Sequence, residues 1–140
     1  MVLTGKYEHT MDSKKRLFIP AKLREEVGDS FVVTKGLDEC LFLYPLDAWK
    51  ALEDKIRQLP MSKSRNLQRF FLSAAADVTV DKQGRIVVPP VLRSHAKLVH
   101  DVTIIGVLDR AEIWDRQKWD EYNGQLDAGS IAEAMEDLGF

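Results

Sequence analysis

The chain has 140 residues, 45% hydrophobic and 30% charged, with one cysteine; this suits one compact domain or two tightly fused halves and excludes an internal disulfide or a cysteine-rich zinc cluster. The start reaches Lys6 without a leader-like apolar stretch, and no apolar run is long enough to span a membrane, so a cytoplasmic, membrane-free protein is expected. The formal net charge of −2 divides into +3 over residues 1–109 and −5 over residues 110–140, which leaves room for a locally basic face.

Taken in chain order, residues 8–12 and 16–19 read as two strands joined by a short turn, a β-hairpin. Pro20 ends the second strand and suits the start of a helix. Leu23 and Val27 then share a helical face, and Gly28 can stop that short helix. Phe31-Val32-Val33-Thr34 and Leu41-Phe42-Leu43-Tyr44 are rich in strand formers. Trp49, Leu52, Ile56 and Leu59 form a helical stripe. Pro60 separates it from a second stripe, Leu67, Phe70, Phe71 and Ala74, with Ser62 available as an N-cap. Strand-like Val102-Thr103-Ile104-Ile105 and Glu112-Ile113-Trp114 follow, and Trp119, Tyr122 and Leu126 suggest a closing helix. The order is β-β-α-β-β-α in each half, with one further helix between the halves.

The halves repeat each other. Residues 12–24, Asp-Ser-Lys-Lys-Arg-Leu-Phe-Ile-Pro-Ala-Lys-Leu-Arg, align without a gap on residues 81–93, Asp-Lys-Gln-Gly-Arg-Ile-Val-Val-Pro-Pro-Val-Leu-Arg. Asp12 meets Asp81, Arg16 meets Arg85, Pro20 meets Pro89, and Leu23-Arg24 meets Leu92-Arg93. Two copies are too few for a solenoid; they predict a pseudo-two-fold fused dimer whose half-folds complete one core. Gly84 stands where the turn favours a left-handed conformation, and Lys15 stands there in the first copy, at a cost on the order of 1 kcal/mol.

Ser13, Lys14, Lys15 and Arg16 form the most basic cluster beside a predicted turn, and an exposed hairpin tip can enter a DNA groove. The planar fork of arginine matches guanine O6 and N7, whereas lysine suits phosphate. Arg16 is therefore the expected base reader, Lys14 and Lys15 the phosphate binders, and Ser13 a phosphate donor. Arg85 and Lys82 take the same parts more weakly in the second copy. Asp12 and Asp81 would repel phosphate, so their expected role is to pair with the arginines and orient them. Arg24 and Arg93 read as structural. Lys63, Arg65 and Arg69 read as a solvated helix face, and Trp49, Trp114, Trp119, Phe70 and Phe71 as core or subunit contact.

The repeated Asp-x-x-x-Arg motif, three apolar residues, proline and a short helix with Leu-Arg resemble the AbrB-like swapped-hairpin fold. The duplication, with Phe70-Phe71-Leu72-Ser73 and Thr34-Lys35-Gly36-Leu37-Asp38, resembles the MraZ family of transcriptional regulators over roughly residues 1–126. The resemblance implies an α+β protein: two AbrB-like β-β-α-β-β halves forming a pseudo-two-fold swapped-hairpin β-barrel, with additional helices. The divisions would be residues 1–59, a linking helix over 60–73, residues 74–126 and an acidic tail over 127–140. It further implies a nucleoid-associated regulator that binds short direct repeats in the promoter of its own division and cell-wall gene cluster. Double-stranded DNA and other copies of itself, in a ring-shaped, octamer-like homo-oligomer, are the implied partners.

Two other classes stand beside this reading, an AbrB-like antitoxin and a small β-barrel enzyme. An antitoxin usually carries one DNA-binding half and a toxin-binding tail, which the duplication and short tail disfavour. For an enzyme, His9, His95 and His100 lack metal-site spacing, Cys40 reads as a small core residue, and no Gly-rich phosphate loop or nucleophile elbow is present. No catalytic residue, metal, cofactor or small-molecule substrate is expected.

Overall fold

The computed structural model describes residues 2–139. The first half contains β1 (Lys6–Thr10), β2 (Arg16–Phe18), α1 (Ala21–Val27), β3 (Ser30–Lys35), β4 (Leu41–Pro45) and α2 (Leu46–Gln58). α3 (Met61–Leu67) and a π-helical turn (Gln68–Leu72) follow. The second half contains β5 (Ala76–Thr79), β6 (Arg85–Val87), α4 (Pro90–Ala96), β7 (Asp101–Gly106), β8 (Ala111–Asp115) and α5 (Arg116–Gly124), and a further helix, α6 (Ala128–Glu136), ends it. The α+β class and the repeated β-β-α-β-β unit agree with the sequence reading.

The strands are shared between the halves. One antiparallel sheet runs β1-β7-β8-β4-β3-β5, and β2 pairs with β6 in a separate two-stranded ribbon. β1 lies against β7 of the other half, with Lys6 opposite Ile105, and β5 lies against β3, with Ser30 opposite Thr79. A pseudo-two-fold axis between β4 and β8 thus exchanges β1 with β5, β7 with β3, and β2 with β6. This corrects the local hairpin expected over residues 8–19. β1 and β2 are joined by a tight turn and the single bridge Met11↔Leu17, and each strand finds its main partner in the other half.

The expected β-barrel is not closed by hydrogen bonds. β1 and β5 are free edges of the six-stranded sheet, and the ribbon stands apart from it. The reason is local: β2 and β6 are three residues long and run into Pro20 and Pro89. Proline has no N–H to give a ladder, and its fixed φ directs the chain into a helix. Side chains close the gap instead. Leu17, Ile19, Ile86 and Val88 point inward from the ribbon, each no more than 2% exposed. They pack on Phe31, Val33, Leu41, Leu43, Ile104 and Ile113 from one face of the sheet.

The strands alternate with period two, so the other face carries a second core. Val32, Phe42, Tyr44, Ile105 and Trp114 meet Trp49 of α2, Phe71 of the π-helical turn and, partly buried, Trp119 of α5. The aromatic residues assigned to packing therefore do pack. Thr34 Oγ1 donates to the Phe71 carbonyl at 2.6 Å inside this layer, which pins the linking segment to β3. Pro60, not Ser62, is the N-cap of α3; Ser62 lies within its first turn. No helix among the described residues is long and apolar enough to cross a membrane.

Candidate nucleic-acid interface

Asp12 to Arg16 form a tight turn closed by a left-handed residue, Lys15. Lys15 N–H donates to the Asp12 carbonyl at 3.0 Å, and Asp12 N–H donates to the Arg16 carbonyl at 3.0 Å. The side chain completes the turn. Asp12 Oδ1 accepts from Lys14 N–H and from Arg16 N–H, each at 2.9 Å, and Oδ2 accepts from Arg16 Nε at 2.7 Å. The second turn has the same design: Asp81 Oδ1 accepts from Gln83 N–H at 2.8 Å and Arg85 N–H at 2.9 Å, and Oδ2 accepts from Arg85 Nε at 3.0 Å. Lys15 (φ 64°) and Gly84 (φ 79°) occupy the left-handed region at the same place in each turn. The aspartates therefore build the loops as well as pairing with the arginines.

Hydrogen bonds lower the pKa of both carboxylates. The N–H of Arg16 is the main cause for Asp12, with the Arg16 side chain and Lys14 N–H adding to it. The N–H of Arg85 is the main cause for Asp81. Each acceptor bond favours the charged form.

Between the turns runs the β2–β6 ribbon, with Arg16 opposite Val87, Leu17 opposite Ile86 and Phe18 opposite Arg85. It is lengthened at both ends by Ile19 N–H to the Gly84 carbonyl at 2.9 Å and Val88 N–H to the Lys15 carbonyl at 3.1 Å. Since Leu17 and Ile86 face the core, Arg16, Phe18, Arg85 and Val87 face outward. The motif arginines therefore share one face of one ribbon instead of sitting on two separate tips. Ser13, Lys14 and Lys15 are exposed at one end of it, and Lys82 and Gln83 at the other.

The two arginines are held differently. Arg16 meets the protein through Nε. Arg85 is held by Asp81 through Nε, by Gln83 through Nη2, and by Asp12 of the first half, whose Oδ2 lies 3.7 Å from Nη1. One carboxylate oxygen thus faces both guanidinium groups.

Arg24, read as structural, belongs to this surface. Its Nε donates to the Ile19 carbonyl at 2.9 Å, its guanidinium lies 5.3 Å from the centre of the Phe18 ring, and it covers Gly84 of the other turn. A Cβ at Gly84 would come within 2.8 Å of Arg24 Cζ. The signal was present in the sequence, because Leu-Arg recurs in both motifs. Lys63, Arg65 and Arg69 lie elsewhere, on α3 and the π-helical turn.

The remaining chemistry-bearing residues are accounted for locally. His9 packs edge-on against Phe18, His95 Nε2 bonds to the Gly36 carbonyl at 2.9 Å, and His100 Nδ1 lies 3.1 Å from Asp101. Cys40 is buried, its Sγ donates to the Leu37 carbonyl, and burial pushes its thiol pKa far up. No group of three or more His, Cys, Asp or Glu side chains among the described residues could hold a metal ion.

Comparison with known proteins follows the duplication seen in the structure. The family model of the MraZ protein, described as antitoxin-like, matches residues 2–70 and again residues 71–139. The transcriptional regulator MraZ of Caldanaerobacter subterraneus subsp. tengcongensis is 52% identical over 143 residues, covering 99% of this chain and 100% of that protein. That of Clostridium beijerinckii is 51% identical, covering 97% of this chain and 98% of its own length. That of Heliobacterium modesticaldum is 53% identical, covering 96% and 94%.

Proposed function

The chain belongs to the MraZ family, and on that premise we propose that it is a sequence-specific DNA-binding transcriptional regulator that reads DNA with the outer face of its β2–β6 ribbon. A two-stranded ribbon fits the major groove of B-form DNA. The observation that carries the reading is the Asp12–Arg16 pair. Asp12 engages the guanidinium through Nε alone, which fixes the side chain while leaving the Nη edge to meet guanine O6 and N7. Phe18 and Val87 offer apolar contact to thymine methyl groups. Ser13, Lys14, Lys15 and Lys82 flank the ribbon as phosphate contacts. Arg85, with its fork engaged, supports Asp12 and reads DNA more weakly.

The finer part of the reading draws on the family resemblance: short direct repeats in the promoter of its own division and cell-wall cluster, bound by a ring-shaped, octamer-like homo-oligomer on the nucleoid in the cytoplasm. Physical reasoning supports several copies acting together. One loop that neutralises about three phosphates gives a salt slope of only about −2.7, so a single ribbon binds weakly. Linked ribbons on adjacent boxes gain through effective concentration.

The test is selection from random duplex DNA with purified protein, followed by salt titrations on one, two and three copies of the enriched box. Arg16→Ala should lose about 1–3 kcal/mol per ribbon and nearly all selectivity on repeated boxes, with the fold intact. Lys15→Ala should weaken binding to all sequences and flatten the salt dependence. Unchanged affinity and selectivity in Arg16→Ala would move the reading element off the ribbon.

A further inference from the structure

The two halves part company at one place on the sheet face turned away from the ribbon. Tyr44 to Trp49 align with Trp114 to Trp119. Carried along the helices, this alignment sets Ala48 against Lys118, Ala51 against Glu121 and Leu52 against Tyr122, and in the preceding turns Arg110 stands where Glu39 does. The second half fills this place with its own side chains. The Tyr122 ring lies 5.3 Å from that of Trp114, Lys118 Nζ lies 3.2 Å from Glu39, and a cleft of about 180 Å³ remains. The first half has neither the ring nor the lysine. A hollow of about 400 Å³ opens between α2, Tyr44 and the β7–β8 turn, with Ala48, Ala51 and Leu52 along one wall. That size falls in the range of small-molecule sites, about 300–1,000 Å³.

The polar groups around the hollow are unpaired or half-paired. Tyr44 is 8% exposed, and its hydroxyl has no hydrogen-bond partner among the described residues. Burial raises its pKa, so it stays protonated and can donate. Arg110 gives Nε and Nη2 to Glu112 Oε2, at 3.2 and 2.8 Å, and lies 4.5 Å from the centre of the Phe42 ring. These contacts fix the guanidinium and leave Nη1 unbonded. Lys55, Asp47 and Asp109 also line the hollow. Among the described residues none of the three forms an ion pair.

The geometry points to this hollow as a binding site for a free aromatic amino acid. Its ring would lie over Ala51 and Leu52, the place that Tyr122 takes in the second half. Its carboxylate would accept from Arg110 Nη1, Lys55 and the Tyr44 hydroxyl, and its ammonium group would face Asp47 and Asp109. Both signs of charge line the hollow, so a zwitterion satisfies more of them than an anion or a cation of the same size. The site lies across the sheet from the ribbon and does not depend on how DNA is read.

Saturation-transfer NMR and calorimetry of the full chain test this, with L-phenylalanine, phenylacetate and phenethylamine as probes. L-Phenylalanine should bind saturably, and the two probes that lack one charge should bind more weakly. Tyr44→Phe should weaken L-phenylalanine about three- to tenfold, the loss of one hydrogen bond. Leu52→Tyr, which copies the second half, should abolish binding with unchanged circular dichroism. The exposed change Lys55→Gln should weaken L-phenylalanine and leave phenethylamine unaffected. Failure of L-phenylalanine to bind saturably overturns the inference, as does equal binding to the parent, Tyr44→Phe and Leu52→Tyr. Phenylacetate or phenethylamine binding as tightly as L-phenylalanine overturns the zwitterion. A Leu52→Tyr chain that changes mass in light scattering, with no probe bound by the parent, would assign the hollow to a second copy and overturn the inference.

Discussion

Arg85 of the second half reaches the Asp12 carboxylate of the first: its Nη1 lies 3.7 Å from the Oδ2 that accepts Arg16 Nε at 2.7 Å. One carboxylate thus holds two like charges together on the outer face of the ribbon. Asp12→Asn keeps an oxygen for the loop N–H groups and removes the charge that orients both arginines. Competition between an enriched box and random DNA should show lower discrimination together with higher affinity for random DNA, since a charge repelling phosphate is gone. Asp81→Asn should have the smaller effect, because Asp12 still faces Arg85. Equal losses of discrimination in the two variants would contradict this asymmetry.

The same carboxylates set an acid limit on stability. Both are held below their ordinary value of 3.8 in the folded protein. Their contribution is present above the unfolded value, about 3.9, and is lost as pH falls through the lowered folded value. The melting temperature of the parent should therefore exceed that of Asp12→Asn with Asp81→Asn at pH 5–7, and the gap should shrink below about pH 4. A gap that stays constant down to the most acidic point would mean that the charge contributes nothing.

Lys15 and Gly84 occupy one conformation with different side chains. Lys15→Gly should stabilise the fold by about 1 kcal/mol by removing left-handed strain, while lowering DNA affinity and reducing the salt slope by about 0.9. Gly84→Ala should destabilise by about 1–2 kcal/mol and displace Arg24, which the new Cβ would meet at 2.8 Å. Calorimetry and a salt titration on the same samples separate the two effects.

Two buried threonines should respond oppositely to loss of the hydroxyl. Thr34 Oγ1 satisfies the Phe71 carbonyl, whereas Thr103 Oγ1 is buried without a partner among the described residues. Thr34→Val should cost about 1–3 kcal/mol by leaving a buried acceptor unpaired. Thr103→Val should be neutral or stabilising. Urea titrations read both, and a destabilised Thr103→Val would mean that its hydroxyl has a partner.

Much of this was legible because the ungapped repeat aligns chemistry as well as pattern. Aspartate, arginine and proline at fixed spacing specify a capped turn, a short strand and a helix start, and both copies form them. The exchange of strands was not legible from adjacency, since Glu8 and Arg16 are close in sequence while β1 pairs with residues 101–105. Period-two patterning says which face a strand buries, not which strand lies beside it. The place of Arg24 over Gly84 depends on the same exchange. Ser62 has the chemistry of a cap, but Pro60 already fixes the backbone that starts α3. α6 had only a composition to go on, because an amphipathic helix with no seat in its own chain leaves no core signal.

The exchange of β1 and β5 also governs when the protein can form. Lys6 must wait for Ile105, and at about 5–20 residues per second of synthesis that delay is on the order of 5–20 s. Until then Leu17, Ile19 and Phe31, all fully buried in the finished fold, have no second half to cover them. The newborn chain thus passes through a sticky interval that ends only when β7 has been synthesised. A message broken between the halves releases a fragment with unpaired strand edges, which cannot act as a half-strength regulator.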